Sequence, residues 1–196
     1  MWLLLGVGAV AGAVFWERFL HYHRAQINST EFLTGVRNVI RRANIVEALS
    51  ICDATPGPVA RLVKTAILNR DRGREGIREI LAETGGQEVP RLEEKLNLLA
   101  TLAQISPLLG LLGTVLGFIR VFSVLQAEGP YAHAGLLAGG VWEALISTAM
   151  GLAVAIPAYA GYNYLVSRVN NIVLDMEKAA TEILNIVTES GDSKLA

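Results

Sequence analysis

The chain has 196 residues, 52% of them hydrophobic and 18% charged, with a net charge of −1 and a mean hydropathy of +0.41. Soluble domains carry about 25% charged residues, so this balance points to a membrane protein with a modest soluble part. Nucleic acid is excluded as a partner because the basic residues are interleaved with acids and no stacking motif accompanies them. A single cysteine, Cys52, excludes an internal disulfide and a cysteine-built metal site.

The first element is the apolar run from Met1 to Phe15. It is short against the roughly 20 residues that span a bilayer, and Ala-x-Ala patterns at Ala9–Ala11 and Ala11–Ala13 admit a cleaved signal peptide. A signal peptide needs a basic start, whereas the first basic residue is Arg18. The reading is a membrane helix over 1–22, closed by an interfacial cluster of Trp16, Phe19 and Tyr22, with Arg18 and Arg24 just beyond. Almost no sequence stands ahead of it.

Residues 23–95 read as a domain of short helices. Asn44 with Glu47 three residues on makes a capping box. Pro56-Gly57-Pro58 breaks the chain, and Pro58 opens a helix over Val59–Asn69. Gly73 and Gly85-Gly86 are expected as further stops. From Glu88 the pattern runs helically into the next span. His21 and His23 lack a third ligand and belong to the interface rather than to a metal site. Cys52 reads as a core residue.

The second span is placed at 96–125, since Leu96–Ile119 holds no charge. A short connection over 126–138 follows, with His133 in it. The third span is placed at 139–165, with Tyr159, Tyr162 and Tyr164 at its far interface. The tail, 166–196, continues it: Leu165, Val169, Ile172, Met176, Ala179, Ile183 and Ile186 alternate in steps of four and three, a heptad seam. Such a seam suits packing on the chain's own domain, packing against neighbouring subunits, or both. The fold expected is therefore all-α, an integral membrane protein with three spans and long helices extending into the cytoplasm. Of the 17 Lys and Arg, 13 lie between Trp16 and Lys95 and none between Val121 and Gly140. By the distribution of basic residues the long segment is cytoplasmic, the N-terminus outside and the C-terminus inside.

The two later spans carry polar marks. Glu143 is the only charged residue between Glu128 and Arg168, and a carboxyl group at membrane depth signals ion movement by default. Thr114 stands 19 residues beyond Lys95, and Thr148 stands 20 before Arg168. At a 1.5 Å rise these are about 28 and 30 Å from basic groups on the same side, so the hydroxyls lie level on antiparallel helices, as a shared polar ring requires. The bland alternative is that each Thr bonds its own helix or glues helices together. Glu143 sits about one turn inside the outer end of its helix, as the titratable element above that ring, or else snorkels to the interface. Ser147 shares its face at i+4, while Thr148 is about 140° around. Thr114, Thr148, Glu143 and Ser147 are thus the candidate pore-lining residues.

Gly110, Gly113 and Gly117, with Gly151 and Ala155, are spaced for close helix packing in lipid. Pro107 and Pro157 are expected to bend their helices. The glycines lack the Gly-Lys-Ser/Thr of a phosphate-binding loop. No enzyme constellation is present, and no cofactor is expected.

Pro107-Leu108-Leu109-Gly110-Leu111-Leu112-Gly113-Thr114-Val115 resembles the second-span signature of the ExbB/TolQ/MotA proton-channel family. Glu143-Ala144-Leu145 through Thr148, Gly151-Leu152, Ala155-Ile156-Pro157-Ala158 and Tyr162-Asn163 resemble the third. The three-span layout is similar to ExbB and TolQ rather than to MotA, with departures at Phe118 and Trp142. The resemblance implies a homopentamer around an ExbD/TolR-like single-span protein bearing a membrane aspartate. It also implies a TonB- or TolA-like protein as the driven element, with Thr114 and Thr148 facing that aspartate and Glu143 on the proton path. The location implied is the bacterial inner membrane. Two other readings compete: a non-conducting membrane scaffold, and a stand-alone proton-coupled transporter, which internal repeats would mark.

Overall fold

A computed structural model describes residues 2–25, 27–42, 44–129 and 134–192. Every regular element among them is helical: α1 (Trp2–Ala25), α2 (Ser29–Arg41), α3 (Ile45–Ala54), α4 (Pro58–Leu68), a 3-10 turn (Arg70–Arg72), α5 (Gly73–Glu93), α6 (Leu96–Glu128) and α7 (Ala134–Asp192). Three helices, α1, α6 and α7, are long and apolar enough to cross a membrane. His133, expected in the outer connection, lies outside the described residues.

The chain divides into two compact units, residues 1–18 with 95–165, and 19–94 with 166–196. In the first, α1 turns one stripe inward: Leu4, Ala11 and Val14 are buried. The same stripe meets α7 through small residues. A Cβ on Gly8 would stand 3.2 Å from Val154, and one on Gly161 would stand 2.8 Å from the Phe15 ring. Along α6, beyond buried Leu96, Leu99 and Ala103, large apolar residues face outward instead. Leu108, Leu111, Leu112, Val115, Leu116, Ile119 and Phe122 are all exposed, as are Trp142, Leu145 and Ile156 on α7. Such a surface is stable against lipid or other apolar helices, not against water.

The second unit is a conventional helical core. Helices α2 and α3 open with reciprocal caps: Asn28 and Asn44 accept from the backbone N–H of Glu31 and Glu47, and each donates its Nδ2 to the same glutamate's carboxylate. Helix α4 buries Pro58, Val59, Ala60, Leu62, Val63, Ala66 and Ile67 and leaves Arg61 and Leu68 exposed. The seam of α7 is buried too, with Val169, Ile172, Met176, Ala179, Ile183 and Ile186 all under 5% exposed. The heptad pattern therefore packs on the chain's own domain. Arg37 (2.5 Å from Glu182) ties this part of α7 to α2, and Arg74 (3.2 Å from Asn185) ties it to α5.

Two expectations about α5 fail. Gly85-Gly86 do not stop the helix; they lie within it. Buried Ile77, Leu81, Glu88 and Leu92 hold one face of α5 against the core, and packing of this kind outweighs the cost of about 1 kcal/mol per glycine. Pro90 is also inside α5, and a proline ring crowds the carbonyl four residues back, which here belongs to Gly86. The helix ends instead at Glu94–Lys95, where the sequence suggested an unbroken run. Lys95 takes the left-handed conformation at φ 66° and starts α6, with its ammonium 2.5 Å from Glu17.

Candidate functional site

Helices α6 and α7 run antiparallel and meet along their glycines. A Cβ on Gly110 would lie 2.9 Å from the Ser147 carbonyl oxygen and 3.2 Å from Cα of Gly151. One on Gly151 would lie 2.7 Å from the Ser106 carbonyl oxygen. Farther along, Gly113 receives the Ser147 side chain (2.6 Å), Gly117 receives Ala144 (2.7 Å) and Gly140 receives Val121. Contacts under 3 Å to a backbone leave no room for a methyl group, so these glycines set the interhelical distance by what they lack. Ala155, one turn on from Gly151, is 7% exposed. Pro107 and Pro157 lie inside α6 and α7 without ending either helix.

This close approach brings two hydroxyls together. Thr114 and Thr148 share a hydrogen bond between their Oγ1 atoms. Thr114 Oγ1 also lies 3.3 Å from the Gly110 carbonyl oxygen and 3.2 Å from that of Ala144, while Thr148 Oγ1 is 3.4 Å from Gly110 O. The two hydroxyls have two protons between them, and three acceptors compete for these: two carbonyls and the opposite hydroxyl. Each hydroxyl can therefore rotate between partners without losing a bond. Both side chains are half-buried.

Ser147, expected beside them, turns the other way. Its hydroxyl donates to the Glu143 carbonyl at 3.0 Å, and the side chain is 9% exposed against Gly113. It fills the space that Gly113 of α6 leaves for want of a side chain.

Glu143 is exposed, and its carboxylate is held by Arg120 of α6, whose Nη1 lies 3.0 Å from Oε1 and 3.1 Å from Oε2. Sequence reasoning treated Arg120 only as the end of an uncharged run. The signal was available. With Thr114 and Thr148 level, six residues along α6 and five back along α7 reach Arg120 and Glu143 at one height.

Residues 54–178 match the model of the MotA/TolQ/ExbB proton channel family. A protein of Methanothermobacter thermautotrophicus named as an ExbB homolog of biopolymer transport is 28% identical over 81% of this chain. One from Synechocystis sp., named ExbB-like 3, is 32% identical over 78% of it. The Tol-Pal system protein TolQ of Haemophilus influenzae is 42% identical over 52%. The matches span 56%, 73% and 44% of those relatives' own lengths, so the chain corresponds to part of each.

Proposed function

Since the chain belongs to the MotA/TolQ/ExbB proton channel family, we propose that it is the channel-forming subunit of an ExbB/TolQ-like motor driven by proton motive force. In this reading it spans the bacterial inner membrane three times, N-terminus outside. It forms a homopentamer around an ExbD/TolR-like single-span protein and passes work to a TonB- or TolA-like protein. The observation that carries the reading is the contact of Thr114 with Thr148, two hydroxyls able to reorient between two closely packed helices. Glu143 supplies the carboxyl group on the path. One proton moving down 100 mV yields about 2.3 kcal/mol, enough to bias the position of an inner helix.

A scaffold role has one observation in its favour: each hydroxyl, and that of Ser147, already reaches a backbone carbonyl within its own chain. The two readings separate in one experiment. The assembly is purified with whatever single-span protein accompanies it, reconstituted, and assayed for proton flux as wild type, Glu143→Ala and Thr148→Val. A channel subunit assembles normally in all three and loses flux in the variants. Unchanged flux in both variants returns the polar residues to packing.

A further inference from the structure

Arg120 stands where the uncharged run of α6 ends. From the hydroxyl pair, Arg120 and Glu143 lie six and five residues away along their helices, about 8 Å at 1.5 Å per residue. The other charged side chains of this unit are Glu17, Arg18, Lys95 and Glu128. The first three lie at the opposite ends of α1 and α6 from the Glu143 level, and Glu128 lies two turns beyond Arg120 on α6. Among the described residues the ion-pair partner of Glu143 is Arg120.

We propose that Arg120 restricts the Glu143 station to protons by denying its carboxylate to metal cations. The inference rests on Glu143 belonging to the proton path. A bare carboxylate attracts any small cation, and rings of acidic side chains are how cation channels are built. Here both carboxylate oxygens already face one guanidinium nitrogen, which brings a cation to the carboxylate. A sodium ion needs several oxygen ligands and would have to displace Arg120 or sit against its charge. Ser147 and the two threonines offer little help, because Ser147 is buried over Gly113 and the hydroxyl pair lies six and five residues away along the helices. A proton needs one lone pair. Each carboxylate oxygen retains one while Arg120 remains in place, so one O–H bond forms on arrival and the same bond breaks on departure. Arg120 thus acts through Glu143 and is a specificity-determining residue, not a carrier.

The test measures proton and sodium flux under matched gradients in vesicles holding the purified assembly, for wild type, Arg120→Lys, Arg120→Gln and Arg120→Leu. The wild type and Arg120→Lys are expected to favour protons. The two neutral variants are expected to shift the sodium-to-proton ratio upward by about tenfold or more, the scale set by removing a like charge from the cation's site. Two neutral variants of different polarity guard against one failing to assemble. An unchanged ratio in whichever neutral variant assembles overturns the inference and leaves the channel reading intact, as does an equal shift in Arg120→Lys. A wild type that conducts no protons overturns the channel reading and this inference with it.

Discussion

The side-chain oxygens of Thr114 and Thr148 touch although the residues are 34 positions apart, and the Gly110 carbonyl lies within reach of both. Valine keeps the shape of threonine and removes only the hydroxyl. Thr148→Val leaves Thr114 its bonds to Gly110 and Ala144, so the loss of stability should be small, about 0.6 kcal/mol as for interhelical bonds in other membrane bundles. Proton flux should nevertheless fall sharply, and Thr148→Ser should restore it. Thermal unfolding in detergent and vesicle flux, measured on the same preparations, check the two halves.

The glycine contacts predict opposite outcomes at two positions. Gly151→Ala drives a methyl group to 2.7 Å from the Ser106 carbonyl oxygen. Backbone must move to relieve it, at about 1–3 kcal/mol. Gly12→Ala meets nothing within 4 Å and should stabilise α1 by about 0.5–1 kcal/mol. Melting temperatures of the two variants should move in opposite directions.

Lys95 pays for a left-handed backbone at φ 66°. Glycine takes that conformation freely, so Lys95→Gly should gain about 1 kcal/mol of backbone energy, offset by at most about 1 kcal/mol for its partly exposed pair with Glu17. Lys95→Val forfeits the pair and adds strain, so it should melt lower than both.

Cys52 is 4% exposed. Burial pushes its thiol up from 9.0 to about 11, with Asp53 adding to the effect and Lys64 opposing it. The folded chain therefore holds this proton more tightly than the unfolded chain. The corresponding stability is complete below pH 9 and is lost as pH rises from 9 to 11. At pH 8 the thiolate fraction, and with it alkylation by iodoacetamide, should be about a hundredfold below that of the unfolded protein.

Glu88 is buried with its carboxylate between Arg61 (2.5 Å) and Arg91 (3.1 Å), both guanidinium groups largely in water. Removing the buried partner releases two cations that are already hydrated. Removing Arg61 leaves the carboxylate with Arg91 alone. Arg61→Ala together with Arg91→Ala should cost more than Glu88→Ala, about 3–5 kcal/mol for an abandoned buried charge. Urea unfolding of the double variant and of Glu88→Ala gives the order.

The three apolar helices and the level placement of Thr114 and Thr148 were legible because both follow from counting residues at a fixed rise. The Asn44 cap was legible for the same local reason. The equivalent Asn28–Glu31 cap carried the same signal and went unread. Gly85-Gly86 misled because propensity speaks for an isolated segment, whereas α5 is held by side chains far away in sequence. Ser147 misled differently. Its i+4 relation to Glu143 is correct, but the empty space over Gly113 that draws it inward exists only once two helices have met.

That empty space has a mechanical meaning. Side chains of α7 seat over glycines of α6, Ser147 over Gly113 and Ala144 over Gly117, and the two backbones approach most closely at Gly110 and Gly151. The two helices are geared, like a rack meshed with its pinion and locked. Load applied along either helix would pass to the other through these contacts, so the proposed motor would work against the pair as one body.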